Sequence, residues 1–273
     1  MKWTPEAEAA IRNVPFFVRK KVRSRVEQEA RQVGLATVDL TTVTRAQQRF
    51  LSGQASEIQG FQLDVCFGPR GCPNRTLPVD DLQRRIAALL EEADLLSFLK
   101  RHVAGPLRFH QEFRVSLAEC PNACSQPQIK DIGIIAACTP RVAAAECAHC
   151  GACAAACRDA AVAVCADRSQ PVIDHDRCMA CGQCLAVCPS GSLAAGQQGF
   201  RVQLGGKLGR HPRLGRELPG IFSADEVLAI VAACLKFYKQ NSRNGRRFAE
   251  LLDDAAFDRM VERFAKNGSG AAP

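Results

Sequence analysis

The chain has 273 residues, enough for one large domain or two to three small ones, and its 47% apolar content suffices to bury a core. The formal charge of +8 would suit a nucleic acid, but the basic residues are spread along the chain, which has only one Trp and one Tyr. The composition therefore gives little support to a redox-sensing nucleic-acid binder, and we expect no nucleic-acid partner.

The cysteine content of the chain is exceptional, at 15 residues. The N-terminal segment lacks the apolar run of a signal peptide, and no stretch approaches the ~18 apolar residues of a membrane-spanning helix. We therefore predict a cytoplasmic protein with no membrane span. In such a reducing compartment, cysteines at short regular spacing favour metal binding over disulfides.

Residues 1–50 are predicted to form a small helical unit. Thr4 suits the N-cap of a first helix with Pro5 at its first position, and Gly34 is placed to end a second helix. The stretches "WTPEAEAAI" and "VPFFVRKKVRSRVEQEARQVG" resemble the small helical domain at the C-terminus of the B subunit of light-independent protochlorophyllide reductase. Because the unit has no Cys or His, we expect a docking or capping role, or that of a plain accessory bundle.

The segments 60–140 and 199–265 are predicted to form one mixed domain. Strands are expected at 61–66, 112–117, 129–138 and 200–206. One helix is expected over 81–101, capped by Asp80. A second helix is expected to begin at a capping box of Ser223 and Glu226, and a third is expected over 248–264. A flexible tail is predicted at 266–273.

Residues 141–198, rich in Ala, Cys and Gly, contain the pattern C-x2-C-x2-C-x3-C twice, as "CAHCGACAAAC" and "CMACGQCLAVC". This is the spacing of bacterial two-cluster ferredoxins, in which three cysteines hold one [4Fe–4S] cluster and the fourth reaches the other cluster. The first cluster is assigned to Cys147, Cys150, Cys153 and Cys188. The second is assigned to Cys157, Cys178, Cys181 and Cys184. Since the module lies between two predicted strands, we expect an insertion at a surface hairpin.

Zinc held by two cysteine pairs is the competing interpretation of these sets. Zinc sites draw their pairs from separate turns, whereas here four cysteines fall within eleven residues in each set, which favours iron–sulfur clusters. Arg158 stands where a Pro usually follows the fourth cysteine, while Pro189 keeps that residue in the second set. His149, between two predicted ligands, is expected to face solvent.

An earlier pair of cysteines, in "CFGPRGC", is matched by a second pair in "ECPNAC". Together Cys66, Cys72, Cys120 and Cys124 make a third four-cysteine set drawn from two loops. The alternative, that a cysteine is simply a small buried apolar residue, is applied instead to Cys138, Cys165 and Cys234.

The blocks "CFGPRGCP", "ECPNACSQPQIKDIGIIA" and "VQLGGKLGRHPRLGREL" resemble, in this order and spacing, the sulfite and nitrite reductases that couple a [4Fe–4S] cluster to sirohaem. The resemblance implies an α+β fold: a sulfite-reductase-like 4Fe–4S half-domain with an inserted bacterial ferredoxin domain and an N-terminal helical domain. It implies a third [4Fe–4S] cluster on the third cysteine set, sirohaem, and Cys124 as the thiolate that bridges cluster and haem iron.

The chain matches only the cluster-bearing half of these reductases. About 15 residues separate the helical unit from Cys66, which is too few for the other half. A second subunit or a dimer mate is therefore expected to complete the sirohaem pocket. Basic groups that could contact the oxyanion substrate or the porphyrin carboxylates are Arg70, Lys130, Lys207, Arg210 and Arg213. The glycine-rich loop "GGKLGRHP" is the best candidate to line the pocket, and His211 in it is a candidate proton donor.

Two functions remain open from the sequence. The first is a reductase in which an external donor, a ferredoxin or similar protein, sends electrons through the two ferredoxin-type clusters to the third centre, where sulfite or nitrite is reduced. The second is a haem-free electron-transfer subunit with three clusters that docks on a separate catalytic partner through residues 1–50.

Overall fold

The computed structural model describes residues 1–165 and 169–264, so the predicted tail at 266–273 lies outside the described residues. Two compact units divide the chain: Met1–Ile58 with Ala104–His110, and Gln59–Val103 with Gln111–Pro273. None of the helices in the described residues is long and apolar enough to cross a membrane. The domain boundaries predicted at 50, 60, 140 and 199 stay predictions.

The first unit consists mainly of three helices, α1 (Pro5–Arg12), α2 (Phe16–Gln32) and α3 (Leu40–Glu57). The predicted cap is confirmed, since the Thr4 hydroxyl accepts a hydrogen bond from the Ala7 amide at 3.3 Å. A parallel pairing that was not predicted from the sequence joins β1 (Lys2–Trp3) to β2 (Thr37–Val38). The Trp3 indole nitrogen donates to a Glu27 carboxylate oxygen at 2.9 Å, which ties this pairing to α2.

The second unit is built on a mixed sheet of five strands in the order β3-β4-β5-β8-β9. The bounds of these strands are β3 Phe61–Val65, β4 Phe113–Ala118, β5 Ile132–Val142, β8 Leu193–Leu204 and β9 Arg216–Glu217. The first three are mutually parallel, and β8 and β9 join antiparallel. The remaining elements are α4 Asp80–Glu92, α5 Leu95–His102, β6 Val162–Ala163, β7 Val172–Ile173, α6 Ala152–Ala156, α7 Gln183–Ala186, α8 Ala224–Asn241, α9 Phe248–Leu251 and α10 Asp254–Phe264.

The core of this unit lies between one face of the sheet and the helices. Phe113 on β4 contacts Tyr238 of α8 and Phe248 of α9, with ring centroids 5.2 and 5.4 Å apart. All three side chains are at most 1% exposed. Fully burying a large apolar side chain contributes roughly 1.5–3 kcal/mol, so this aromatic layer is a substantial part of what fixes the helices on the sheet.

Two predicted helices of the second unit differ from the structure. The helix expected over 81–101 is two helices, because Asp94 adopts a left-handed conformation (φ 44°) and caps α5. Asp80 was predicted to cap the first of them but is its first residue, following Val79. The helix expected over 248–264 is likewise divided into α9 and α10. The capping box of Ser223 and Glu226 at α8 is confirmed.

The two cysteine-rich sets lie at the far end of a long hairpin formed by β5 and β8. The pairing of these strands continues to Val142 and Leu193, beyond the limits predicted for both strands. A register irregularity between Cys138 and Pro140 interrupts it. The segment from 143 to 192 therefore leaves and returns at adjacent positions, as an insertion at a hairpin requires.

Candidate iron–sulfur sites

The third cysteine set is assembled at one edge of the sheet. Cys66 directly follows β3, and Cys120 follows β4 by two residues. These strands are parallel neighbours in the register Val65↔Leu117. The carboxyl ends of parallel strands lie at the same edge, so two loops far apart in sequence are brought side by side there.

All four cysteines of this set line one cavity of about 390 Å³, a volume that includes solvent space at its mouth. Burial raises the pKa of the Cys120 thiol, and the neighbouring charges of Cys66, Cys72 and Cys124 raise it further. The thiols are therefore close enough to repel each other when ionised. Metal coordination relieves such repulsion, because the ligands bind as thiolates to a cationic centre.

Two sulfurs of this set accept hydrogen bonds from neighbouring groups. The Cys66 sulfur accepts from the backbone amides of Gly68 and Glu119, at 3.4 and 3.3 Å. The Cys124 sulfur, on an exposed side chain, accepts from the Asn122 side-chain amide at 2.9 Å. Donors of this kind stabilise charge on cluster ligands and contribute to the reduction potential.

Glu119 connects the two cysteine loops and was not predicted from the sequence. Its buried carboxylate accepts from the Val79 amide at 3.0 Å and lies 3.0 Å from the Arg75 guanidinium. Its carbonyl accepts from the Thr76 amide at 2.7 Å. The position of Glu119 immediately before a cysteine is the one signal in the sequence that could have pointed to it.

Cysteines of the two ferredoxin-type sets lie near one another in the structure. Burial raises the pKa of Cys184 to about 11, and the charges of Cys181, Cys178 and Cys157 add to the shift. Burial likewise raises the pKa of Cys153, with further contributions from Cys188 and Cys147. Cys184 therefore has Cys157, Cys178 and Cys181 as neighbours, and Cys153 has Cys147 and Cys188. Cys150 is exposed, and its place among the ligands stays a prediction.

The backbones of the two sets repeat each other. His149 and Ala180, each just before the second cysteine, have φ of 50° and 55°. Gly151 and Gly182, just after it, have φ of 70° and 71°. Four matching left-handed residues show that one loop conformation is used twice, and His149 is exposed as expected.

Within the residues that the structure describes, no three or more His, Cys, Asp or Glu side chains form a group suited to one metal ion. The four cysteines of the third set instead surround a cavity. For the other predicted non-ligands, Cys138 and Cys234 are buried as expected, while Cys165 is only half-buried.

Residues 66–268 match the family model of the nitrite and sulphite reductase 4Fe-4S domain. The chain belongs to this family. Residues 3–47 match a second model, described as the protochlorophyllide reductase 57 kD subunit. Both resemblances noted in the sequence are therefore confirmed, as is the α+β fold with N-terminal helices.

Two curated relatives cover different parts of the chain. The coenzyme F420-dependent sulfite reductase of Methanocaldococcus jannaschii is 31% identical over 153 residues, which is 55% of this chain and 24% of that protein. The B subunit of the light-independent protochlorophyllide reductase of Chlorobium phaeobacteroides is 50% identical over 48 residues, 18% of this chain and 9% of that protein. The chain thus spans a quarter or less of the length of these relatives.

A solved structure shares the fold of this nitrite and sulphite reductase family member. Dissimilatory sulfite reductase I aligns with a TM-score of 0.50 and 15% identity over 77% of this chain and 54% of that one. The family match supports an iron–sulfur cluster in this domain, and the cavity lined by four thiols fits such a group chemically.

The predicted basic residues lie on several parts of the family domain. The Lys130 ammonium forms an ion pair with Asp64 on β3 at 2.5 Å, and that of Lys207 lies 3.8 Å from Glu250. The Arg213 guanidinium donates to the carbonyls of Gly205, Ala249 and Leu252. Arg70, Arg210 and His211 are exposed. The contacts of Arg213 are structural ones, and the catalytic or cofactor roles of all six residues stay predictions.

Proposed function

We propose that this chain is an iron–sulfur oxidoreductase of the sulfite reductase type. Electrons from an external low-potential donor pass through two ferredoxin-type [4Fe–4S] clusters to a third, reductase-type centre where sulfite is reduced. The observation that carries the proposal is the convergence of Cys66, Cys72, Cys120 and Cys124 on one cavity at the edge of the sheet. Sulfite is preferred over nitrite because a relative that matches over 153 residues is named as a coenzyme F420-dependent sulfite reductase.

The residues proposed to hold each group follow from their neighbours. Cys66, Cys72, Cys120 and Cys124 would hold the reductase-type cluster, and the two crossed sets would hold the ferredoxin-type pair. Bound iron–sulfur clusters supply one-electron redox chemistry at these positions. The protein supplies thiolates, amide donors to sulfur and partial exclusion of water.

The fit to sirohaem is only partial. The exposed Cys124 sulfur is accessible for a bridging role, which the resemblance assigns to it. Among the predicted basic residues, Lys130 and Lys207 already face carboxylates of this chain, and Arg213 binds its backbone carbonyls. We therefore propose that a second subunit or a dimer mate contributes most of the groups that bind the porphyrin carboxylates and the substrate.

The second candidate function is a haem-free electron-transfer subunit that carries three clusters to a separate catalytic partner. The partial fit to sirohaem favours it. Residues 1–50, which fall in the helical unit, would then be the docking element.

Anaerobic purification of the full chain, with iron and sulfide analysis and a visible spectrum, tests both. Either function requires about 12 irons per chain, four for each of three cubane clusters. A sirohaem band and viologen-dependent sulfite reduction, alone or with the partner added, support the reductase. Full iron content without a haem band or activity in either setting supports the electron-transfer subunit. A chain that binds only about eight irons contradicts both.

A further inference from the structure

The loop that follows the Cys66–Cys72 pair reaches one of the ferredoxin-type sites through a single side chain. The Thr76 hydroxyl donates to the backbone carbonyl of Cys181 at 2.9 Å, across 105 positions in sequence. The Thr76 amide at the same time donates to the carbonyl of Glu119, at 2.7 Å, directly before Cys120. One half-buried residue therefore joins the turn at Cys181 to the loop of the reductase-type site.

A second, backbone contact holds the same turn. The Cys138 amide on β5 donates to the carbonyl of Ala180 at 2.7 Å, and Cys138 forms an isolated parallel bridge with Cys181. A Cβ atom at Gly182 would lie 3.4 Å from the Cys138 Cβ, so the turn packs directly on the strand. The central sheet, through Cys138, and the loop after Cys72, through Thr76, thus both contact the turn at Ala180 and Cys181.

We propose that Thr76 is the positioning residue that couples the site of Cys157, Cys178, Cys181 and Cys184 to the reductase-type site. The site that contains Cys147 is then the outer one, the first of the three centres to receive electrons from the external donor. This inference rests on the proposed function and deepens it by giving the order of the centres. The cysteines of the inner site would hold a cluster that, when bound, would pass one electron to the cluster held by Cys66, Cys72, Cys120 and Cys124, with no bond made or broken.

The substitution Thr76→Val tests this role because valine keeps the branched shape and removes only the hydroxyl. Thr76→Ser retains the hydroxyl and serves as the conservative variant. Thr139→Val is the matched control, since the Thr139 hydroxyl bonds only within the hairpin, accepting from the Gln197 amide at 2.8 Å and donating to its carbonyl at 3.3 Å.

The readout is the EPR spectrum of the full chain reduced anaerobically with dithionite, together with iron content. Reduced clusters are paramagnetic, so neighbouring ones split each other's signals. We expect Thr76→Val to keep its iron and lose most of the splitting of the reductase-type signal. Thr76→Ser and Thr139→Val should retain that splitting. An unchanged splitting in Thr76→Val with full iron content would overturn the role of Thr76.

The order of the sites is tested separately by removing one cluster at a time. Cys150→Ser should eliminate the outer cluster and leave the splitting of the reductase-type signal in place, whereas Cys178→Ser should abolish it. The reverse pattern overturns the inference, even if Thr76→Val fails to fold. A wild-type chain without a third cluster would instead refute the proposed function itself, so the two failures are distinguishable.

Discussion

The backbone amide of Glu119 donates a hydrogen bond to the sulfur of Cys66, 3.3 Å away, from one parallel strand end to the next. This contact joins the two loops that supply the third cysteine set. Glu119 is among the residues that line the cavity, and its buried carboxylate also contacts Val79 and Arg75. The geometry of the site therefore depends on Glu119 as well as on the four thiols.

Replacing a cysteine of the third set should remove one cluster and leave the others. For Cys66→Ser we expect iron to fall from about 12 to about 8 per chain, with the ferredoxin-type EPR signals retained. Cys165→Ser, outside all three sets, is the control and should keep its iron. Equal iron content in Cys66→Ser and wild type would contradict the assignment.

Gly68 allows the first cysteine loop to approach Glu119 closely. A Cβ atom at Gly68 would lie 1.9 Å from a Glu119 carboxylate oxygen, so Gly68→Ala forces the loop or the carboxylate to move. We expect a loss of ~1–3 kcal/mol in unfolding free energy, as for other overpacked sites, and reduced occupancy of the third cluster. Thermal unfolding and iron analysis measure both effects. The control is Pro69→Ala, a change at the exposed neighbouring residue, which should have little effect. A Gly68→Ala protein with the same stability and iron content as Pro69→Ala would refute the close approach.

The buried Asp131 should make stability depend on pH. Burial raises the pKa of Asp131 from 3.8 to about 6, although Arg247, with a guanidinium nitrogen 3.8 Å away, and the amide of Arg114, 2.9 Å away, favour the ionised form. Because the pKa of Asp131 is higher in the folded than in the unfolded state, its protonation stabilises the fold, and this contribution is fully present below about pH 4. That contribution, on the order of 3 kcal/mol, is lost as pH rises to about 6 and above.

Urea unfolding at a series of pH values tests this linkage. The stability of the wild type relative to Asp131→Asn should fall between about pH 4 and 6 and then level off. Asn cannot ionise, so it keeps a neutral group of similar shape at every pH. A difference between the two proteins that is constant across this range would show that Asp131 is not the titrating group.

Ser192 should raise the reduction potential of the outer ferredoxin-type cluster. Its hydroxyl lies 3.4 Å from the Cys188 sulfur and makes the largest contribution among the hydrogen bonds that lower the pKa of that thiol to about 7. Since the reduced cluster carries more negative charge, losing this donor in Ser192→Ala should lower its potential, by roughly 40 mV if the bond is worth about 1 kcal/mol.

The matched control for this shift is Ser190→Ala, because the Ser190 hydroxyl lies 3.9 Å from the same sulfur and should affect it less. An EPR-monitored redox titration gives both potentials. Equal potentials in Ser192→Ala and the wild type would remove the hydroxyl from the factors that tune this cluster.

The features that the sequence predicted correctly depend on residues close together along the chain. The N-caps at Thr4 and Ser223 involve residues three apart. The crossed pairing of the ferredoxin-type sets also rests on a spacing repeated in two short segments, and it stays a prediction. Family resemblance, carried by three blocks, identified the third set. Local spacing could not place its members together, because Cys66 and Cys120 are joined by two parallel strands with two helices between them.

By itself, then, the sequence determined the family and the fold class and predicted which cysteines hold clusters, since these depend on local patterns. The tertiary structure decided which groups support them. Glu119, Gly68 and Thr76 act on residues 40 to 105 positions away, through contacts that exist only once β3, β4 and β5 have paired. The same applies to Asp94, whose left-handed backbone divides a helix that the apolar pattern alone predicted to be continuous.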